Sequence, residues 1–335
     1  MKSEVQQLLH RVPIALFTVH CSLFTLLCSG CVSARSYIVI RPVVDLRTQP
    51  SSAAPSGHDP MEETQLLYGE QVRVRERHDG WARVEALEQP EHSHENRWQG
   101  YPGWLPEAAL AEPLWDAAPP NLVVTDKWVR ASEDAYGLQP SPWQFALGTY
   151  LHGEDFGNAL WRVELHDGAF VWIRRDAAQL LETQAKLTGA QQRAAILRAA
   201  HELLGDAYYW GGRSPRAEAA AGLITGVDCS ALVNLAYRTV GVTVPRDAHE
   251  QFQRARPVPQ PQPADVVFLS EQDNPAKIVH VLLYAGDDML LESPGTGLGV
   301  RRILAKERFG RSLAELPSGS VIGSQTVTYG TFLTE

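Results

Sequence analysis

Cysteine is scarce: of 335 residues only four are cysteine, and three of these, Cys21, Cys28 and Cys31, crowd the extreme N-terminus. No disulfide framework and no cysteine-rich zinc site can be built from such a set. Positive charge is in deficit too, with 30 Lys and Arg against 39 Asp and Glu and no basic run. That balance argues against a nucleic-acid partner. No residue cluster calls for a metal or a cofactor. With 44% hydrophobic and 21% charged residues, the chain has a real core and length enough for two or three domains.

The one cysteine beyond residue 31 is Cys229. Gly226-Val227-Asp228-Cys229-Ser230 reads as a turn that opens a helix, because Leu232, Val233, Ala236, Tyr237 and Val240 follow at helical spacing and Gly241 stops the run. Asp228 is a good N-cap, able to accept first-turn amides. Cys229 then takes the first helical position, where the positive end of the helix dipole favours the thiolate. A small buried hydrophobe would look the same in isolation. A lone cysteine with histidines elsewhere suits a nucleophile.

At the N-terminus, Lys2 and Arg11 precede an apolar stretch over 12–30 that ends Leu27-Cys28-Ser29-Gly30-Cys31. Positive region, apolar region and small residues follow the order of a secretory signal, assigned to 1–30. The stretch also resembles a bacterial lipoprotein signal, which would make Cys31 the lipidated residue and a lipid anchor the link to a membrane. A single transmembrane anchor is the alternative.

Residues 36–111 read as short strands with Gly-marked turns: Val43-Val44-Asp45-Leu46-Arg47, Val72-Arg73-Val74-Arg75, Asp79-Gly80-Trp81-Ala82-Arg83-Val84 and Gly100-Tyr101-Pro102-Gly103-Trp104-Leu105. They indicate a small β-barrel, its tryptophans assigned to the core. A weaker copy over 112–184 carries Trp161-Arg162-Val163 where the first has Trp81-Ala82-Arg83-Val84. From 188 to 335 the pattern changes. A helix is predicted over 190–204 with Ala194, Leu197, Ala200 and Leu204 on its inner face. His280 falls in an alternating strand, Val279-His280-Val281-Leu282-Leu283-Tyr284-Ala285, and Met289-Leu290-Leu291-Glu292 continues after a tight turn. His249, His201, His92 and His94 lack a partner motif and read as surface or structural.

Five motifs stand in order: Tyr208-x-Trp210-Gly211-Gly212, Asp228-Cys229-Ser230, Pro245-Arg246-Asp247-Ala248-x-x-Gln251, Ala264-Asp265-Val266-Val267-Phe268 and His280-Val281-x-x-Tyr284. Together they resemble the NlpC family of papain-like peptidoglycan cysteine peptidases. With two bacterial Src-homology-3-like modules in front, the chain resembles the γ-D-glutamyl-L-diamino-acid endopeptidases. The resemblance implies two small all-β barrels followed by a papain-like α+β domain. It implies Cys229 as nucleophile, His280 as its proton donor, and a polar residue on the next strand, often His, as orienter of the imidazole.

The position that matches the orienter is Glu292, a departure that a carboxylate can serve by accepting the imidazole N–H. A histidine put back at 292 is expected to retain part of the activity. By the same resemblance Asp228, Ser230 and Asp247, with Glu70 and Tyr101 of the first module, surround the free amine of a stem peptide. Tyr208 stands near the oxyanion or merely packs. A second departure lengthens the loop over 216–225.

The implied activity is hydrolysis, by an exported protein, of the γ-D-glutamyl–diaminopimelate bond in peptidoglycan stem peptides or released muropeptides. Two other readings use the same scaffold: a lipoprotein that binds wall fragments through its β modules with a degenerate catalytic domain, and an acyl transferase. Retention of Cys229 and His280 favours catalysis over binding alone. The oligomeric state is left open.

Overall fold

The computed structural model describes residues 36–51, 58–114, 116–157, 159–217 and 225–334. The apolar stretch over 12–30 and Cys31 lie outside the described residues, as does most of the loop over 216–225. Among the described residues no helix is long and apolar enough to cross a membrane.

The first module is an antiparallel sheet of β1 (Ser36–Val39), β2 (Val43–Arg47), β3 (Glu62–Leu67), β4 (Gln71–His78), β5 (Trp81–Glu91), β6 (Gln99–Pro106) and β7 (Leu110–Ala111). Its strand order is β3-β2-β6-β5-β4-β1-β7. The second module has β8 (Leu122–Val124), β9 (Trp128–Ser132), β10 (Pro140–Ala146), β11 (Tyr150–Gly157), β12 (Leu160–Glu164), β13 (Phe170–Arg174) and β14 (Ala178–Leu180). Its order, β10-β9-β13-β12-β11-β8-β14, is the same arrangement advanced by seven strands. The strand of Trp81 and the strand of Trp161 therefore occupy equivalent places. Their burial differs from expectation: Trp161 is in the core at 7% exposure, but Trp81, Trp104 and Trp172 are only half-buried. Each of these three has a wide ring at a sheet face that meets solvent on one side, so alternation alone does not sink it.

After a short helix α1 (Leu181–Ala185) comes α2 (Gly189–Glu202), which opens with a capping box between Thr188 and Gln191. Its inner face is Ala195, Ile196, Ala199 and Ala200, with Leu197 partly packed and Ala194 exposed. The predicted face is thus turned by one residue, because alanines recur on both sides of this helix and do not mark a stripe. A small hairpin of β15 (Arg213–Ser214) and β16 (Gly226–Val227) leads into α3 (Cys229–Arg238), all ten residues of which are buried. Then follow α4 (Ala248–Arg254), β17 (Arg256–Pro257), β18 (Val266–Glu271), β19 (Asn274–Gly286), β20 (Met289–Glu292), β21 (Arg301–Leu304), α5 (Ala305–Phe309), β22 (Ser320–Ile322) and β23 (Gln325–Thr331).

The last sheet runs β17-β23-β18-β19-β20-β21, with β22 on β23, and separates two cores. Val281, Leu283 and Leu291 face α2 and α3; Leu282 and Leu290 face the other way, in a cluster with Phe309 of α5. Two all-β modules followed by an α+β domain is the fold class the sequence implies.

The three parts meet at Glu70. Its buried carboxylate lies 2.8 Å from Arg213 and 3.5 Å from Arg238 of α3, and accepts a hydrogen bond from Gln89 at 3.0 Å. Arg238 also donates to Gly148 O of the second module at 2.7 Å and stacks 3.9 Å over the Tyr150 ring. Buried guanidiniums need such partners, since an unpaired charge in a dry interior is strongly unfavourable.

Candidate active site

Asp228 caps α3 with its Oδ1 accepting Ala231 N–H at 2.8 Å. The cap is itself held: the wholly buried Arg246 donates to Asp228 Oδ2 at 2.7 Å and to Ser230 Oγ at 2.9 Å. Gly211 N–H reaches Asp228 Oδ2 at 3.2 Å. Gly211 has φ +76°, and a Cβ there would lie 2.7 Å from Glu62 Cγ, so the turn that brings its amide to the cap requires glycine. Cys229 is thereby fixed at the first turn of a helix whose amides point towards it.

His280 lies near enough to Cys229 to interact with it electrostatically, and its Nε2 lies 3.0 Å from Glu292 Oε1, which leaves Nδ1 for the thiol. Burial works against the imidazolium. Interactions with Cys229 and with Glu292 outweigh burial and push the His280 pKa up to about 9. Burial likewise opposes ionisation of Glu292, but hydrogen bonds from His280, Arg308 and Arg301 pull its pKa down to about 2. Tyr208 lies close enough to feel both charges: burial first, then Asp228 and Cys229, push its phenol upward, so it stays a donor.

Beyond α3, Asp247 heads α4 and receives the Tyr101 hydroxyl at 3.1 Å. Desolvation pushes Asp247 up to about 7, with Glu250 and Asp228 adding to it against Arg246 and Tyr101. Its side chain remains 39% exposed, so solvent screening moderates that shift. Glu63 accepts from the same Tyr101 hydroxyl at 3.3 Å and lies 3.7 Å from His94, whose ring packs edge-on against Tyr101. The nearby Glu63 carboxylate and the hydrogen bond to Glu91 push His94 up to about 10, against burial, so it is not a bland surface histidine.

Cys229, His280, Glu292, Tyr208, Asp228, Ser230, Asp247 and Tyr101 are thus brought into one region. Glu70 is not: it is consumed by Arg213, Arg238 and Gln89, and Glu63 shares the Tyr101 hydroxyl with Asp247 instead. Three further residues are not apparent from sequence: Arg246 as the organiser of the cap, although it lies inside one of the five motifs, and Arg301 and Arg308 beside Glu292. Among the described residues no cluster of His, Cys, Asp and Glu has the makings of a metal site.

A helix-heading cysteine beside a carboxylate-held histidine on the neighbouring sheet is the constellation of a cysteine peptidase. Residues 205–311 match the NlpC/P60 family and residues 52–89 the bacterial dipeptidyl-peptidase Sh3 domain. The chain therefore carries an NlpC/P60 domain behind a bacterial Sh3 module and is an enzyme of the cysteine peptidase type. It is 27% identical over 245 residues to the gamma-D-glutamyl-L-lysine dipeptidyl-peptidase of Bacillus cereus, covering 69% of this chain and 67% of that one. The protein of the same name from Bacillus subtilis is 24% identical over 251 residues, covering 73% and 76%. A crystal structure of an NlpC/P60 family protein from Bacillus cereus superposes with a TM-score of 0.70 at 22% identity, over 89% of this chain and all of that one. That last likeness shows the fold.

Proposed function

We propose that the protein hydrolyses the γ-D-glutamyl bond to a diamino acid, diaminopimelate or lysine, in peptidoglycan stem peptides or muropeptides, with Cys229, His280 and Glu292 as the reacting set. The observation that carries this is Cys229 at the mouth of α3 beside His280, whose Nε2 is held 3.0 Å from the Glu292 carboxylate. The Cys229 thiolate attacks the γ-carbonyl carbon. The oxyanion is met by amides of the first turn of α3 and by the Tyr208 hydroxyl. His280 gives its Nδ1 proton to the departing amine as the C–N bond breaks, leaving a thioester. Water, giving a proton back to His280, then attacks the thioester, and the C–S bond breaks to release the acid and restore the thiolate. Glu292 accepts the hydrogen bond from Nε2–H throughout and favours the imidazolium.

Glu63, Asp247 and Tyr101 form an acidic wall contributed partly by the first module, suited to the free ammonium of a peptide whose amino end lies nearby. Export through the N-terminal segment, with Cys31 as lipid acceptor, belongs to the same proposal and rests on sequence pattern alone. Mass spectrometry of defined muropeptides incubated with the protein tests it. Products split between γ-D-Glu and the diamino acid are expected; intact substrate, or cleavage at another bond, would refute the reading.

A further inference from the structure

Glu292 Oε1 is shared by two donors, His280 Nε2 at 3.0 Å and Arg308 Nε at 2.9 Å. Its other oxygen takes Arg301 Nε at 3.0 Å and Arg301 Nη2 at 2.7 Å. Arg301 is the direct register partner of Glu292 across β20 and β21, while Arg308 reaches in from α5. Glu292 keeps 1% of its side chain exposed, against 40% for Arg301 and 28% for Arg308. The carboxylate is therefore a buried junction with guanidiniums on its solvent side.

This junction suits a carboxylate and not an imidazole. Two carboxylate oxygens offer about four acceptor sites, enough for His280 and both arginines; a neutral imidazole offers one. The charges around His280 come from four elements: Cys229 on α3, Glu292 on β20, Arg301 on β21 and Arg308 on α5. Glu292 favours the imidazolium, and each arginine opposes it. Arg308 also competes with His280 for one oxygen.

We propose that Arg301 and Arg308 are positioning residues for His280, fixing the Glu292 carboxylate against Nε2 while their charge offsets that of Glu292 and so limits the pH range in which the imidazolium survives. The inference rests on the reading of Cys229 and His280 as the reacting pair. It follows that the damage done by Glu292→Gln has two sources: the lost carboxylate charge, and two arginines left facing His280 without their anion. Removing the arginines as well then restores part of what Glu292→Gln takes away.

The test uses the full chain and iodoacetate, an anionic alkylating reagent that an imidazolium attracts to the thiolate. Alkylation of the Cys229 peptide is followed by mass spectrometry across pH, beside turnover on a γ-D-glutamyl–diaminopimelate peptide. Arg308→Gln and Arg301→Gln should each move the alkaline limb to higher pH by roughly half to one unit, and Arg308→Lys, which keeps the charge, should leave it in place. Glu292→Gln should move it to lower pH by roughly one unit or more, and adding both arginine substitutions should bring it back by about one unit. Limbs that stay fixed in the single arginine variants, or a triple variant superimposable on Glu292→Gln, would overturn the proposal. Both single arginine variants alter partly exposed side chains, so they decide the matter even if the triple variant does not fold. Alkylation needs no substrate: shifted limbs without turnover would refute the substrate reading alone.

Discussion

The hydroxyl of Tyr101, on strand β6 of the first β module, donates to the carboxylate of Asp247, at the head of α4 in the peptidase domain, over 3.1 Å. The wall proposed to receive the substrate's ammonium therefore draws on the first module as well as on the domain that carries Cys229. Glu63, on β3, accepts from the same hydroxyl and extends that wall.

This wall gives the first prediction. Glu63→Gln or Asp247→Asn should raise KM about tenfold for peptides with a free amino end, since a hydrogen bond to a charged group contributes about 1.5–3 kcal/mol. N-acetylated peptides, which carry no ammonium, should be handled equally by wild type and variants. Equal KM changes for both substrates would remove these carboxylates from amine recognition.

Cys229→Ala and His280→Ala should each lower turnover at least about a thousandfold while the melting curve stays near that of the wild type. Wild-type hydrolysis by the Cys229→Ala protein would refute the nucleophile assignment.

Glu62 is buried and held neutral: burial first, then Asp45 and Asp59, push its pKa up to about 10 against Arg47 and Arg246. A raised acid pKa means the proton binds more tightly in the folded state, so stability falls as pH rises from about 4.5 towards 10. Glu62→Gln needs no proton. It should match wild type near pH 4 and be more stable by about 1–2 kcal/mol at pH 8. Chemical denaturation at the two pH values reads this directly, and a variant less stable at pH 8 would contradict it.

Glu70→Gln should cost about 3–5 kcal/mol of stability, because it leaves Arg213 and Arg238 buried without their shared anion. A loss below about 1 kcal/mol in urea unfolding would mean that Glu88 alone satisfies Arg238 and that Arg213 finds another partner.

Labelled palmitate should be incorporated when the chain is produced in a bacterial host, and the label should vanish with Cys31→Ser. Labelling unaffected by that substitution would rule out Cys31 as the acceptor.

What is legible in the sequence is local. Asp228 as cap and Cys229 at the helix start follow from periodicity within a dozen residues, and the strand alternation around His280 needs no distant partner. Glu292 is marked by its place on the next strand. Glu63 is not, because Glu62, Glu63 and Glu70 are alike in sequence, and only the packing of β3, whose Thr64 accepts from Arg246, decides which one shares the Tyr101 hydroxyl with Asp247. Arg301 and Arg308 sit in a stretch with Arg302, Lys306 and Arg311 that reads as a solvated face; nothing local says that two of them turn inward to a buried carboxylate. Their presence also reverses one expectation: a histidine at 292 would face two guanidiniums, so Glu292→His should be inactive unless the arginines are replaced too. The turned face of α2 has the same origin, since repeated alanines leave the choice of side to the neighbours.

The Glu70 junction bears on how the molecule is assembled. Arg213 and Arg238 belong to the peptidase domain, yet the anion that makes their burial tolerable arrives on the first module, which leaves the ribosome earlier. The peptidase domain thus meets a ready-made counter-ion as it folds, and cut away from the modules it would carry two stranded cations next to the helix that presents Cys229. The modules thus supply, from within the same chain, the counter-charge and carbonyl that the buried arginines beside α3 require.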